Sequence, residues 1–373
     1  MVKASTCDMR KRYFGHIPIP LQRVHVELTN VCEFDCLFCP KSQMKRPFGF
    51  METDLAKETI SLLGRHGICE KVTLHVMGEP TLHRDFFQIL SHAETKHVNI
   101  GLTTNGRNLG TPVGKELLKH PLYQIDVSLQ TPDEESFTLR RARAVNFNDY
   151  LSGILDFFFS YHQRHPETIF KFRFLNTRFQ KKGMEKKTGP LKIISSTSEL
   201  RRIFGFWADR LLEGLGADEP AKKGVARGIG KLVSYKWNVV EIHPNLFFET
   251  YVLDDWGHAF DERRVIDAWG GFCFGMRDHF AVLHNGDVTL CCIDYEGKTA
   301  IGNLHNSSLE EILSSDLLGD IIKGFRKFRP IHPYCKKCLG STGAASWVFK
   351  PVLSVLGLKL LKPYLYSKVK LTS

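Results

Sequence analysis

The chain has 373 residues, 43% of them hydrophobic, which is enough for a barrel-sized domain and a smaller one. The first residues carry no apolar run behind their charges, and no long apolar stretch is free of charge. These features argue against a secretory signal and a membrane-spanning helix. Ten cysteines in such a chain indicate metal ligation rather than a disulfide scaffold, and we therefore expect a cytoplasmic protein.

The net charge of +11 raises the question of an anionic partner. The basic residues gather at 181–187, 201–202, 222–223 and in the C-terminal tail. Basic residues on solvated faces account for most such excesses, so nucleic-acid binding is not expected. An acidic or phosphorylated substrate and an anionic membrane surface both stay open as explanations of the charge.

The first half alternates short runs rich in β-branched residues with helical patterns, which predicts a parallel sheet of βαβ units. The predicted strands are 24–28, 72–77, 98–102, 123–129, 170–175 and 239–242. The predicted helices are 53–64, 85–95, 150–162 and, inside a polar basic insert at 180–236, 198–215. Ligands bind at the C-terminal ends of parallel strands, and the motifs that follow lie at those ends.

The loop after the first predicted strand reads CEFDCLFC over residues 32–39. Its three thiolates can bind three irons of a cubane [4Fe-4S] cluster and leave the fourth iron open to a non-protein ligand. A zinc site normally has four protein ligands. A thioredoxin-like pair formed by Cys36 and Cys39 would not require Cys32.

Three further motifs end predicted strands: MGEP at 77–80, TTNG at 103–106 and VSLQ at 127–130. Each motif alone could be an ordinary turn. Arg141 follows thirteen residues after Ser128, with Arg140 beside it.

Together, the cysteine loop and these motifs resemble the radical S-adenosylmethionine (radical SAM) superfamily, although Met77 and Gln130 depart from its usual Gly and Asp. The resemblance implies an α/β fold with a partial (β/α)6 TIM-like barrel over residues 21–250. It implies reductive cleavage of S-adenosyl-L-methionine (SAM) to a 5′-deoxyadenosyl radical that abstracts a substrate hydrogen atom. It implies a cluster held by Cys32, Cys36 and Cys39, with SAM contacts from Phe38, Gly78, Glu79, Asn105, Ser128 and Arg141, and with Arg140 as a competitor for the last role.

A second set of cysteines consists of Cys273, Cys291, Cys335 and Cys338. Two alternating segments joined by Asn285-Gly286 predict a hairpin that brings the first two together. The spacing resembles the SPASM domain of radical SAM enzymes, in the shortened one-cluster form called twitch. This implies an α+β domain over 251–343 with an auxiliary [4Fe-4S] cluster. A structural zinc ion bound by the same cysteines is the alternative.

Cys292 lies beside Cys291 on the predicted strand, so its side chain should face away from the cluster. It could be an alternative ligand, a buried apolar residue or a hydrogen-atom donor to the substrate. Cys7 and Cys69 have no assigned role.

We expect a radical SAM enzyme that oxidises or epimerises a carbohydrate-like or aminocyclitol small molecule, with flavodoxin or ferredoxin as electron donor. One alternative is a maturase that modifies a ribosomal peptide, although the segment 1–20 is too short for a peptide-recognition domain. Another is a non-catalytic iron-sulfur or zinc scaffold. The basic, apolar tail at 344–373 could contact a membrane surface or pack on the barrel.

Overall fold

The computed structural model describes residues 12–253, 256–261 and 264–360. The strands are β1 Arg12–Phe14, β2 Ile17–Ile19, β3 Arg23–Val26, β4 Val72–Leu74, β5 Ile100–Thr104, β6 Gln124–Gln130, β7 Ile169–Asn176, β8 Val239–His243, β9 Leu246–Val252, β10 His279–Val282, β11 Asp287–Thr289 and β12 Ala300–Asn303. The helices are α1 Thr53–Arg65, α2 Phe86–Thr95, α3 Pro112–Leu117, α4 Glu134–Phe137, α5 Phe147–Arg164, α6 Lys182–Thr188, α7 Thr197–Gly214, α8 Glu219–Ile229, α9 Leu309–Leu313, α10 Asp316–Arg326, α11 Pro333–Leu339 and α12 Ala344–Ser354. Cys7 and the tail beyond residue 360 lie outside the described residues.

The core is a ten-stranded sheet in the order β12-β11-β10-β3-β4-β5-β6-β7-β9-β8. The six neighbours from β3 to β9 pair in parallel and are connected through helices. This arrangement confirms the predicted partial (β/α)6 barrel. No helix among the described residues is long and apolar enough to cross a membrane.

The sixth parallel strand differs from the prediction. The segment predicted for it forms β8, which pairs antiparallel with β9 at the edge of the sheet, and β9 is the sixth parallel strand. The chain reverses between them at Pro244 and Asn245, where Asn245 has φ +61°. Asparagine tolerates this left-handed conformation better than most residues, so the turn is locally encoded.

The predicted insert supplies the helix that covers this edge of the barrel. A capping box begins α7, because Ser196 accepts a hydrogen bond from the Glu199 amide and the Glu199 side chain accepts one from the Ser196 amide. On its buried face, the Phe204 and Trp207 rings pack against Phe174 and Phe248 of the sheet. The insert is therefore part of the barrel layer.

The C-terminal region extends the barrel sheet. Strand β10 pairs in parallel with β3, and β10 and β11 form the predicted antiparallel hairpin, with Gly286 at φ +85° in its turn. The residues that carry the second cysteine set are consequently joined by backbone hydrogen bonds to the strand that precedes the first set.

Candidate active site

A cavity of about 130 Å³ opens at the C-terminal ends of the barrel strands. Its wall contains the cysteines of the first loop and residues from the ends of β5, β6, β7 and β9. Of the site residues predicted from the sequence, the cavity wall includes Cys32, Cys36, Phe38, Cys39, Gly78, Asn105 and Ser128. Glu79 and Arg141 are not part of this wall.

The cysteine loop is held in shape by its backbone. The Lys41 ammonium donates to the carbonyl oxygens of Cys32 and Phe34, at 2.8 and 2.9 Å. The amides of Asp35 and Leu37 donate to the segment that follows β6, at 3.1 and 2.9 Å. These bonds fix the direction of the loop and leave its three thiols on the cavity side.

The thiols suit an iron-sulfur cluster. Burial raises the pKa of Cys32 and of Cys39 to about 12, and burial also raises the pKa of Cys36 although the Arg140 charge opposes it. Such thiols ionise readily only when a cation is bound to them. Among the described residues no three His, Cys, Asp or Glu side chains are grouped to hold a metal ion. A cubane cluster does not require such a group, because each thiolate binds a different iron.

Gly78 and Glu79 have different surroundings. Gly78 has φ +74°, and a side chain there would collide with the carbonyl oxygens of Thr29 and Val31. The Glu79 carboxylate is buried and accepts hydrogen bonds from the hydroxyls of Thr81 and Thr104, at 2.7 and 2.9 Å, and from a backbone amide at 2.6 Å. Burial and the neighbouring carboxylate of the cysteine loop raise the pKa of Glu79 to about 7. Glu79 thus links the segment after β4 to the end of β5, and it is not part of the cavity wall.

Glu33 lies inside the cysteine loop, and its carboxylate has no hydrogen-bond partner among the described residues. Both of its carboxylate oxygens are buried. Glu33 is close enough to Glu79 for the two charges to interact. A buried carboxylate without a hydrogen-bond partner favours a bound cation nearby. Asn105 lies beside the loop, with its amide 3.6 Å from the Cys32 sulfur.

Of the two adjacent arginines, Arg140 is at the cavity. It is buried, its guanidinium donates to the carbonyl oxygens of Ser128 and Leu129 at 2.6 and 2.8 Å, and it stacks 4.6 Å from the Phe34 ring centroid. Arg141 has φ +48° and is exposed in a separate surface cleft. The sequence could not separate these neighbours, because a short turn after α4 decides which of them faces inward.

The floor of the cavity contains polar residues that the motifs did not indicate. His75, Arg173 and Tyr251 line it. Arg173 bridges Asp126 and Glu249, with nitrogen-oxygen distances of 2.9 Å to each. The only sequence signal was the alternation of β7, where Lys171 and Arg173 stand between phenylalanines and are predicted to share one face.

The four auxiliary cysteines are gathered on the C-terminal side. Burial raises the pKa of Cys291, and the nearby charges of Cys273 and Cys338 add to the effect. Burial likewise raises the pKa of Cys335, helped by the same two residues. The Gly275 amide donates to the Cys273 sulfur at 3.3 Å. Cys273 and Cys338 are thus near both Cys291 and Cys335, an arrangement that suits a fully ligated cluster.

Cys292 differs from the prediction in its backbone. Strand β11 ends at Thr289, so Cys291 and Cys292 lie in the following turn and strand alternation does not fix their directions. Cys292 interacts electrostatically with Cys273 and Cys291 and packs against a small apolar cluster that Cys39 and Trp256 also contact.

A buried ion pair joins the barrel to the C-terminal hairpin. The Arg46 guanidinium forms two hydrogen bonds to the Glu27 carboxylate, at 2.6 and 2.9 Å, and one to the Tyr295 carbonyl oxygen at 3.1 Å. The backbone amides of Met77 and His284 also donate to Glu27. We call Glu27, Arg46 and His284 the Glu27 clamp. It connects β3, the strand end before Gly78 and the hairpin turn.

Comparisons with known proteins identify two domains in the chain. Residues 26–157 match the family model of the radical SAM superfamily, and residues 273–339 match that of an iron-sulfur cluster-binding domain, SPASM. A probable GTP 3′,8-cyclase of Pyrococcus abyssi is 28% identical over 120 residues, which are 32% of this chain and 38% of the relative. The mycofactocin maturase MftC of Mycobacterium tuberculosis is 30% identical over 106 residues, 28% of this chain and 26% of the relative.

The similarity to these curated relatives spans well under half of their length. Among solved structures, SuiB of Streptococcus suis superposes with a TM-score of 0.50 at 16% identity, covering 83% of this chain and 69% of that one, which shows a shared fold. The two matched domains imply two cofactors, a SAM-binding [4Fe-4S] cluster and an auxiliary iron-sulfur cluster. The chain therefore contains a radical SAM domain at residues 26–157 and a C-terminal SPASM-type iron-sulfur domain at residues 273–339.

Proposed function

We propose that the protein cleaves SAM reductively and oxidises a compact hydroxylated molecule, carbohydrate-like or an aminocyclitol. The observation that carries this proposal is the polar floor beneath the cysteine loop. His75, Arg173 and Tyr251 can donate to and accept from hydroxyl groups, while Leu253 and Trp256 supply apolar wall. Because Asp126 and Glu249 already balance the Arg173 charge, the floor favours hydroxyl groups over a phosphate.

The residues that would hold the cofactors are those gathered at the two cysteine groups. Cys32, Cys36 and Cys39 would bind the first cluster, and Cys273, Cys291, Cys335 and Cys338 the second. SAM would lie against Phe38, the backbone at Gly78, Asn105, Ser128 and Arg140 in place of Arg141, with Glu79 and Glu33 outside the cavity wall. When bound, these groups supply the radical that removes a hydrogen atom from a substrate carbon and the acceptor for the second electron.

His75 fits the role of hydrogen-bond acceptor for the substrate hydroxyl in this oxidation. Conversion of an alcohol to a carbonyl removes a hydrogen atom, an electron and the hydroxyl proton, which leaves for solvent. Burial, together with the Arg173 charge, lowers the pKa of His75 to about 4, so its imidazole is neutral near pH 7 and can accept a hydrogen bond from that hydroxyl. Its Nδ1 atom is buried without a hydrogen-bond partner in the described part of the chain.

Cys292 distinguishes oxidation from epimerisation. If its thiol returned a hydrogen atom to the substrate radical, the product would be an epimer carrying a solvent-derived hydrogen. Cys292 packs against the same apolar cluster as Cys39 and the cavity residue Trp256, so this role can be tested. We favour oxidation, because Cys292 is not part of the cavity wall.

The test uses anaerobically reconstituted protein, SAM, a strong reductant and a panel of aminocyclitols and sugars in deuterated water. We expect a product two hydrogens lighter than its substrate and without incorporated deuterium. Cys292→Ala should retain activity, as should the control Cys69→Ala, which alters a cysteine before β4 at the opposite end of the strand. His75→Phe should lower product formation by a factor of about 10 or more, yet still form 5′-deoxyadenosine.

Two results would reject this proposal. Deuterium in the product that disappears in Cys292→Ala would establish an epimerase instead. Turnover of a peptide, with none of the small molecules consumed, would establish a maturase, the activity named for the mycobacterial relative. Flavodoxin and ferredoxin remain the proposed physiological electron donors, and replacing the chemical reductant with each of them tests that part.

A further inference from the structure

The positive charge of the chain is concentrated at its C-terminal end. Residues 326–373 contain ten of the 51 lysines and arginines and none of the 40 aspartates and glutamates. This segment therefore accounts for +10 of the net charge of +11. A segment that carries only positive charges attracts anionic partners.

The same segment exposes an apolar helix face. In α12 the side chains of Val348, Phe349, Val352, Leu353 and the following Leu356 are between 43% and 63% exposed. Residues spaced by three, four and seven positions lie on one side of a helix, so these side chains form a stripe, which we call the α12 patch. Trp269, 52% exposed, extends the patch, because its indole donates to the Trp347 carbonyl oxygen at 3.2 Å.

The α12 patch is presented by an anchored helix. On the opposite side Pro351 is buried, the Ser354 hydroxyl accepts from the Phe272 amide at 3.2 Å, and the Trp347 indole donates to the Asp267 carbonyl oxygen at 2.8 Å. The exposed stripe is therefore the outward face of a fixed element. Such a contiguous apolar surface marks a contact site.

Exposed basic residues neighbour the segment that carries Trp269. The backbone of 268–271 is hydrogen-bonded to Phe328 and Lys336, and the next residues of the chain, Arg329 and Lys337, are exposed. Asp267 is an exposed acid in this region.

We propose that the α12 patch docks on the surface of an anionic lipid membrane. Apolar side chains that enter the headgroup boundary, combined with neighbouring lysines and arginines, are the features of an element that lies in the membrane interface. The exposed aliphatic side chains favour lipid over nucleic acid, which offers no apolar phase for them. The contact is peripheral, since no helix in the described ranges can cross a membrane. The proposal does not depend on the substrate or the reaction.

The experiment measures cosedimentation of the full-length, cluster-loaded protein with vesicles of phosphatidylcholine, with and without phosphatidylserine. We expect binding to the phosphatidylserine vesicles that weakens at high salt. The double variant Phe349→Ser/Leu353→Ser should bind them at least about tenfold more weakly, since two apolar side chains no longer enter the lipid. The control Phe206→Ser removes a phenylalanine that is 56% exposed on α7 and should bind as the wild type does.

Equal melting temperatures of the three proteins establish that the variants fold. Absence of binding to phosphatidylserine vesicles, or binding unchanged in the double variant, would overturn the proposal. So would a wild-type dimer in analytical ultracentrifugation that the double variant dissociates, because the patch would then be covered by a second copy. Salt-sensitive binding of duplex DNA in place of vesicles, lost in the double variant, would also overturn it.

Discussion

Replacing Arg46 with alanine should destabilise the junction between the barrel and the C-terminal hairpin. The Arg46 side chain is 6% exposed and that of Glu27 is fully buried, so the change leaves a buried carboxylate without its cation. Breaking a buried pair in this way costs about 3–5 kcal/mol. With an unfolding entropy of about 2.1 cal/mol/K per residue, a chain of this size should melt about 4–6 °C lower.

The assay is thermal unfolding of cluster-loaded protein under anaerobic conditions. Lys119→Ala is the matched control, because it removes a cation whose side chain is 65% exposed from a surface pair with Glu116. Its effect should stay below about 0.5 kcal/mol, or less than about 1 °C. Arg46→Lys should fall between the two, since it keeps the charge and loses the two-pronged geometry. If Arg46→Ala has the same melting temperature as the Lys119→Ala control, the Glu27 clamp is not a stabilising junction.

The clamp also predicts a pH dependence. Burial by itself would raise the pKa of Glu27, but hydrogen bonds from His284 and Arg46 and the Arg46 charge outweigh burial and lower it. A carboxyl whose pKa is lower in the folded state adds stability above its unfolded pKa, and that stability is lost as the pH falls through the folded value. The difference in melting temperature between wild type and Arg46→Ala should therefore be largest near neutral pH and shrink in acid.

The remaining predictions concern the clusters and the motif after β4. Changing Cys32, Cys36 or Cys39 to alanine should abolish 5′-deoxyadenosine formation in the anaerobic assay, and undiminished formation in any one variant would contradict the cluster assignment. Wild type should contain about eight irons per chain and the triple variant about four, by metal analysis; one zinc and four irons in wild type would instead make the second site structural. Gly78→Ala should lower the melting temperature and abolish SAM cleavage, whereas Gly67→Ala, also at positive φ but with open space around it, should cost only about 1 kcal/mol; equal effects would mean that the close backbone approach at Gly78 is unimportant.

The sequence by itself determined the fold class and the cysteine chemistry. The CEFDCLFC loop, the strand-ending motifs and the hairpin turn at Asn285-Gly286 are local signals, because each depends on spacing and turn chemistry within about ten residues. Parallel strands then bring such ends to one edge of the sheet, so the position of the cavity also followed from the pattern.

Only the tertiary structure decided which residues meet across the molecule. The parallel pairing of β10 with β3 brings residue 279 opposite residue 23, and no local pattern encodes a contact over that separation. The same holds for the Glu27 clamp and for His75 and Arg173 at the cavity floor, which are single polar residues without a motif. Arg140 and Arg141 are chemically equivalent neighbours, and the packing of Arg140 on Phe34 decides which one reaches the cavity. Local sequence specified the strands, turns and thiols, whereas long-range packing specified the partners of each buried charge.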